Sequence, residues 1–249
     1  EETINDFKKC LKKFYRWLYD LDKGDKLPKC VSWLEIKKEG KKVSASDLIT
    51  REEYENIVRG ARGERDKCFI ALLYHTGARI GELAGIRLCD IKKNGYGIKI
   101  NVDGKTGKRS ILVVEDTDII LNWVNQHPLQ NNKEAHLFIG TYKSSGSNVN
   151  RLLTYNTLKK ILTGAVKRAK IKRNIYPHLF RHTRATELIR KGMNESVIKK
   201  IMGWGEDSSM ISNYGHLVDD DVDEAVAQMY GISTKQKDTS QVCSCGKTI

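Results

Sequence analysis

Only one segment of this chain carries a clear β-strand pattern, and this limits the fold it can adopt. Apolar and polar residues alternate over residues 97–102, a Gly-Lys-Thr-Gly turn follows at 104–107, and a second strand-like run returns over 110–114. Two such runs on either side of a glycine-containing turn predict a β-hairpin, and hence one small antiparallel sheet. The tip of the hairpin is strongly basic, with the cations Lys105, Lys108 and Arg109.

Elsewhere the apolar residues recur every three or four positions, which is the spacing of amphipathic helices. This spacing predicts helices over about residues 1–22, 64–76, 158–169, 194–202 and 218–229. Thr50 and Glu53 form a capping box that begins a further helix, while Gly77 and Gly203 stand where helices should end. The stretch 23–46, with its lysines and glycines, is expected to be a loop and linker. The predicted fold class is mainly α with a small antiparallel β-sheet (α+β).

The chain carries 44 lysine and arginine residues against 31 aspartate and glutamate residues, a formal net charge of +13. An excess of positive charge this large favours a polyanionic partner, with nucleic acid ahead of a membrane surface. Hydrophobic residues make up 39% of the chain, which is enough to bury a core and excludes wholesale disorder. No apolar run reaches the roughly 18 residues of a membrane span, and residues 1–13 are too charged for a signal peptide. We therefore expect a soluble, cytoplasmic protein.

Three short segments contain side chains suited to chemistry on a phosphate. Arg79 and Glu82 closely follow a helix-ending glycine. His178 and Arg181 are three residues apart and therefore share one face of a helix. Tyr214 lies in the third segment, Asn-Tyr-Gly-His. Taken singly, each has an ordinary structural interpretation as a surface arginine, a chance pair or a packing tyrosine, so the information lies in their order along the chain.

The ordered set resembles the tyrosine recombinase (phage integrase) family. The resemblance runs from about residue 48 to 232. The similarity is greatest to archaeal-type, Xer-like integrases, and it lies in residues 177–186, 203–204 and 214–217. It implies the catalytic-domain fold of that family, preceded by part of its helical core-binding domain. The expected organisation is a partial core-binding (SAM-like) DNA-binding domain and linker over 1–45, the catalytic domain over 46–232, and a tail over 233–249.

The resemblance implies that a tyrosine oxygen attacks a DNA phosphodiester and leaves a 3′-phosphotyrosine and a free 5′-hydroxyl, without ATP, metal or another cofactor. Tyr214 would be the nucleophile, and Arg79 and Arg181 would bind the nonbridging phosphate oxygens. His178 would bind the phosphate or take the phenolic proton. Lys105 is the expected general acid for the 5′-oxygen, and the competing candidates are Lys108 and Arg109.

Three further residues near this set have more modest expected roles. Glu82 could hold Arg79 in place, although an ordinary exposed helix glutamate is equally compatible with the sequence. Trp204 stands where the family usually has histidine, and its indole N–H can donate one hydrogen bond to phosphate but cannot exchange a proton. His182 follows Arg181, points to another face of the helix and is expected to be structural, as it generally is in the family.

The implied partner is double-stranded DNA, bound by four protomers on two duplexes through a Holliday junction, with a monomer when free and no membrane. Additional phosphate contacts are expected from Arg51, Arg59, Arg62, Lys108, Arg109, Lys143, Arg151, Arg173 and Arg184. The predicted function is site-specific DNA recombination. Two alternatives stay open, a type IB topoisomerase-like enzyme that only relaxes DNA and a catalytically inactive, basic DNA-binding remnant.

The two cysteines near the end of the chain, Cys243 and Cys245, suggest the truncated zinc ribbon that archaeal-type integrases often carry there. Their one-residue spacing departs from the usual pair, and two thiolates cannot complete a tetrahedral site, so no metal is predicted. The chain begins with glutamate and stops soon after these cysteines. We therefore expect it to be part of a longer protein.

Overall fold

The computed structural model describes residues 2–36, 44–104, 107–140 and 152–215. The chain divides into two compact units, residues 1–42 and residues 43–249.

The first unit contains helix α1 (Glu2–Leu18) and the single-turn helix α2 (Lys29–Ser32). Helix α1 ends four residues before the predicted boundary, and α2 lies inside the stretch expected to be loop. Pro28 precedes α2, in agreement with the tolerance of proline at the start of a helix. The apolar positions of α1 form one exposed stripe, with Ile4, Phe7, Leu11, Phe14, Trp17 and Leu18.

The second unit contains eight further helices and three strands among the described residues. The helices are α3 (Arg51–Arg59), α4 (Glu64–Thr76), α5 (Ile80–Gly85), α6 (Thr117–Asn125), α7 (Tyr155–Arg168), α8 (Pro177–Arg190), α9 (Glu195–Met202) and α10 (Ser212–Gly215). The strands are β1 (Ile91–Asn94), β2 (Gly97–Gly104) and β3 (Gly107–Val113). This composition confirms a mainly helical fold with one small antiparallel sheet. None of the described helices is both long and apolar enough to cross a bilayer.

The sheet is antiparallel with strand order β1-β2-β3. The predicted hairpin is confirmed as β2 and β3, which pair from Ile98 opposite Val113 to Gly104 opposite Gly107. Strand β1 was not predicted, because its Ile-Lys-Lys-Asn segment buries only part of Ile91 and exposes the other three residues. Alternate residues of β2 and β3 face the core, so the sheet has one apolar and one solvent face.

Helix α4 lies at the centre of the core, and the site is built at its end. Its residues Cys68 to Leu73 are fully buried, and α3, α5, α6, α7, α8 and β3 all pack against it. Gly77 ends the helix with a φ of +59°, a left-handed conformation that favours glycine. The chain therefore turns sharply and begins α5 three residues later.

The other predicted helix signals are confirmed where the structure describes them. The capping box at Thr50 and Glu53 begins α3, and the predicted stripe over 158–169 lies in α7. Asn194 caps α9 by accepting a hydrogen bond from the Ser196 N–H at 2.9 Å. The predicted helix over 218–229 and the tail over 233–249 lie outside the described residues.

Candidate active site

Arg181 is buried at the centre of the candidate site. It lies on the inner face of α8 and is only 6% exposed. Its Nη1 donates to the Gly77 carbonyl oxygen at 2.9 Å, and its Nη2 donates to the carbonyl oxygen of Met202. Burial, together with the charge of Arg79, lowers the pKa of Arg181 to about 10. The guanidinium therefore stays protonated at neutral pH and joins the end of α4 to the end of α9.

Arg79 stands at the start of α5 and is partly exposed. Its Nη1 donates to Glu82 Oε1 at 2.8 Å, and its backbone N–H donates to Glu82 Oε2 at 2.8 Å. Glu82 is buried, so this carboxylate fixes both the backbone and the side chain of Arg79. The prediction that Glu82 holds Arg79 agrees with these contacts, and the exposed alternative does not.

His178 lies on the first turn of α8, on the solvent side of Arg181. Partial burial and the charges of Arg181 and Arg79 lower the pKa of His178. Its imidazole is therefore neutral at pH 7 and can accept a proton. A cleft of 640 Å³ opens beside it, and its lining includes Arg79, Glu82, Gly104, Lys159, Tyr176 and His178.

Tyr214 lies on α10 and is 2% exposed. Its ring stacks on Trp204, with centroids 5.7 Å apart and an interplanar angle of 23°. The Arg181 guanidinium also lies over the Trp204 ring, 5.7 Å from its centroid. Burial raises the pKa of Tyr214, and the charge of Arg181 opposes that rise. The phenol therefore shares one cluster with the half-buried Trp204 and the buried Arg181.

The hydroxyl of Tyr214 has a partner that the sequence pattern does not predict. His182 Nδ1 lies 2.8 Å from Tyr214 Oη, so His182 contacts the predicted nucleophile. Burial lowers the pKa of His182, and the positive charge of Arg181 adds to this effect, so the His182 ring is neutral at pH 7. The only signal in the sequence was its position beside Arg181, and that position could not show which residue its ring would meet.

The prediction that Arg109 lies at a basic hairpin tip facing DNA is wrong. The structure buries it, with a side chain 5% exposed. Its Nη1 and Nη2 donate to Glu82 Oε1 and Oε2 at 3.1 and 2.7 Å. A guanidinium enclosed in this way cannot contact a DNA backbone without breaking the pair, so Arg109 is an internal partner of Glu82.

The environment of Glu82 predicts acid sensitivity of the fold. Burial raises the pKa of its carboxyl, but the hydrogen bonds from Arg109 and from the Arg79 backbone outweigh this and lower it from 4.5 to about 2. Because the pKa is lower in the folded state, the stabilisation is complete above pH 4.5 and is lost as the pH falls towards 2. It amounts to about 3 kcal/mol. Glu82→Gln should therefore flatten the fall in unfolding free energy between pH 5 and 2.5, as measured by urea titrations; an unchanged slope would contradict this assignment.

The remaining predicted DNA contacts fall into three groups. Arg51, Arg59, Arg173 and Arg184 are bonded within the protein, with Arg173 on Glu53 and Arg184 on Glu187. Arg62 and Lys108 are exposed. Lys105, Lys143 and Arg151 lie outside the described residues, and so does His216, two residues after Tyr214. The role of Lys105 as general acid therefore stays a prediction.

Comparison with known proteins identifies the family to which this chain is similar. The phage integrase family model matches residues 47–220, more than half of the chain. A tyrosine recombinase of Thermosipho africanus is 31% identical over 186 residues, which are 74% of this chain and 62% of that protein. The tyrosine recombinase XerC of Bacillus subtilis is 29% identical over 152 residues, 59% of this chain and 48% of that protein. The chain thus spans about half to three fifths of the length of these relatives.

Solved structures show the same fold. The XerA recombinase covers 92% of this chain with a TM-score of 0.61 and 22% identity, and the match takes in 76% of that chain. The XerH recombinase bound to its palindromic difH substrate covers 91% with a TM-score of 0.64 and 18% identity, over 67% of that chain. A lambda integrase tetramer bound to a Holliday junction covers 83% with a TM-score of 0.58 and 17% identity, over 57% of that chain. These structures show the fold, and because the family model matches more than half of its residues, the chain belongs to the phage integrase family.

Proposed function

We propose that this protein is a site-specific DNA recombinase that cuts and rejoins DNA through a 3′-phosphotyrosine. One observation carries the proposal: the buried Arg181 and Tyr214 both contact the half-buried Trp204, while Arg79 and His178 border a cleft. The segments that supply these residues are far apart in sequence.

The cluster has the groups that the transfer requires. Tyr214 Oη would form a bond to phosphorus while the bond from phosphorus to the 5′-oxygen breaks, so the number of phosphoester bonds is unchanged and no ATP is needed. Arg79 and Arg181 would neutralise the charge that develops on the nonbridging oxygens, a task that a divalent cation performs in other phosphoryl-transfer enzymes. The phenolic proton would pass to a neutral imidazole, and the leaving 5′-oxygen would take a proton from Lys105.

Two neutral histidines are available to receive the phenolic proton. His182 already lies within hydrogen-bond distance of Tyr214 Oη, whereas His178 lies at the cleft. We assign His178 to the phosphate and His182 to the hydroxyl. Trp204 packs against both Arg181 and Tyr214, and its role is to keep the cation and the nucleophile together while its N–H remains available to phosphate.

The proposed partner is double-stranded DNA, and the net charge of +13 suits it. Since a lambda integrase of the same fold forms a tetramer on a Holliday junction, we propose four protomers on two duplexes and a monomer in the absence of DNA. A cytoplasmic location and the division at residues 45 and 232 stay predictions.

The test is to trap the intermediate. The protein would be incubated with nicked duplexes from the DNA flanking its own gene, so that the strand beyond the cut diffuses away and religation fails. We expect a species that resists denaturant and contains both protein and DNA, and mass spectrometry of its digest should locate the nucleotide on the peptide containing Tyr214. Protein that shifts these duplexes on a native gel yet forms no adduct would be a DNA-binding remnant, and the proposal would fail.

The same preparation distinguishes recombination from relaxation. With two duplexes that carry the same site, a recombinase exchanges strands between them and produces junctions and recombinant products. A topoisomerase-like enzyme removes supercoils from a plasmid but gives no product joining the two duplexes. Relaxation without exchange would favour that alternative.

A further inference from the structure

Strand β3 has an arginine at a position that faces the core, where an apolar residue is expected. Arg109, Ile111 and Val113 face the core, while Lys108 and Ser110 are exposed. A guanidinium stays charged at neutral pH, so burying it is costly unless every part of it is paired. An ion pair at such a place is commonly no more stable than well-packed apolar residues of the same volume. Stability alone therefore does not account for Arg109.

The charge of Arg109 is directed at the carboxylate that holds Arg79. Its two terminal nitrogens bind the two oxygens of Glu82, and its Nε donates to the Ile201 carbonyl oxygen at 2.9 Å. Each oxygen of Glu82 also accepts one hydrogen bond from Arg79, one from the side chain and one from the backbone. Arg109, Glu82 and Arg79 therefore form one continuous hydrogen-bond network from β3 to the cleft.

Two glycines allow the backbone to close around this pair. A Cβ on Gly104 would lie 2.4 Å from Glu82 Oε1, and a Cβ on Gly203 would lie 2.7 Å from Arg109 Nη1. Gly104 comes directly before Lys105, and Gly203 comes directly before Trp204. The pair is thus enclosed by the backbones of the two segments that carry these candidate site residues.

We propose that Arg109 is a positioning residue that fixes the Arg79 guanidinium for the phosphate by holding Glu82. Arg109 touches neither DNA nor the reacting atoms. It fixes the orientation of the Glu82 carboxylate, which in turn fixes the direction of Arg79. This inference rests on the proposed function, because it assigns Arg109 a part in the same reaction.

A double-mutant cycle tests the dependence on Arg79. The rate of adduct formation would be measured in single turnover for wild type, Arg109→Met, Arg79→Ala and the double variant. Arg109→Met should slow the wild-type reaction by roughly 10-fold to 100-fold, the range expected for misplacing a catalytic group. In the Arg79→Ala background the same change should cost less than about twofold, because the group it positions is already absent. Equal losses in both backgrounds would overturn the proposal.

Three controls separate positioning from folding. Arg87→Met removes an exposed arginine whose partner is Glu134 on the surface, and it should leave the rate unchanged. Arg109→Lys keeps the charge but not the paired hydrogen bonds, so it should recover only part of the rate. If Arg109→Met does not fold, the cycle is run with Arg109→Lys, and additive losses would again refute positioning.

A second measurement does not require the reaction. Exchange of the Arg79 guanidinium protons with water, followed by NMR in protein without DNA, should be severalfold faster in the Arg109 variant that folds and unchanged in Arg87→Met. Unchanged exchange in the Arg109 variant would refute the positioning role. If wild type forms no adduct, the proposed function fails on that result, and the exchange rates alone decide whether Arg109 positions Arg79.

Discussion

Replacing Tyr214 by phenylalanine should abolish the covalent adduct completely while leaving DNA binding intact. The substitution removes only the oxygen that would attack phosphorus. The ring remains and still fills the space between Trp204 and His182. Loss of the hydrogen bond to His182 should cost about 1 kcal/mol of unfolding free energy. Denaturing gels with nicked duplexes measure the adduct, and native gels measure binding by the same samples.

A matched tyrosine variant makes that result specific. Tyr96 is 79% exposed in the turn between β1 and β2, so Tyr96→Phe removes a hydroxyl outside the site and should form adduct at the wild-type rate. An adduct that persists in Tyr214→Phe would identify a different nucleophile. The assignment of the whole site would then be wrong.

Arg181→Ala should give the second largest effect, a fall in cleavage rate on the order of 100-fold to 1,000-fold. The side chain supplies positive charge beside the nucleophile. It also satisfies the carbonyl oxygens of Gly77 and Met202. Leaving these acceptors without a partner should lower the unfolding free energy by roughly 1–3 kcal/mol. Single-turnover cleavage measures the first effect, and urea titration measures the second.

Two variants separate the loss of charge from the loss of fold. Arg181→Lys keeps a cation but cannot bond both carbonyls and a phosphate with one planar group, so its rate should lie between those of wild type and Arg181→Ala. Arg168→Ala removes an exposed arginine bonded to the Gly60 carbonyl oxygen, away from the site, and should cleave normally. If Arg181→Ala, assayed well below its unfolding transition, cleaved as fast as Arg168→Ala, Arg181 would have no catalytic role.

Local patterns in the sequence were sufficient to predict much of the fold. Helix α4 could be predicted to its last residue because its apolar run ends at a glycine that takes a positive φ. The hairpin could be predicted because its alternation is regular on both sides of the turn. Strand β1 could not, since three of its four residues are polar and its partner strand supplies most of the apolar surface.

The site was harder to predict than the fold, because its geometry depends on residues far apart in sequence. Arg181 bonds the carbonyl oxygen of Gly77, 104 residues earlier in the chain, and no spacing rule predicts such a contact. Arg109 was misplaced because its charge was given more weight than its position. Arg109 lies two residues before Ile111 and four before Val113, so it is on the side of β3 that faces the core. This alternation was the signal that could have placed Arg109 in the core.

The end of helix α9 has a consequence for how this protein can lose its activity over evolutionary time. Arg109 and Arg181 donate to the carbonyl oxygens of Ile201 and Met202, which lie at the negative end of the helix dipole. Arg181, proposed for catalysis, and Arg109, proposed for positioning, therefore also cap a helix, and a mutation that removes either one damages the fold together with the reaction. A lineage under selection to keep a folded but silent copy could discard the hydroxyl of Tyr214 at little cost, whereas the arginines would have to stay. In a silenced descendant, the arginines should therefore outlast the tyrosine.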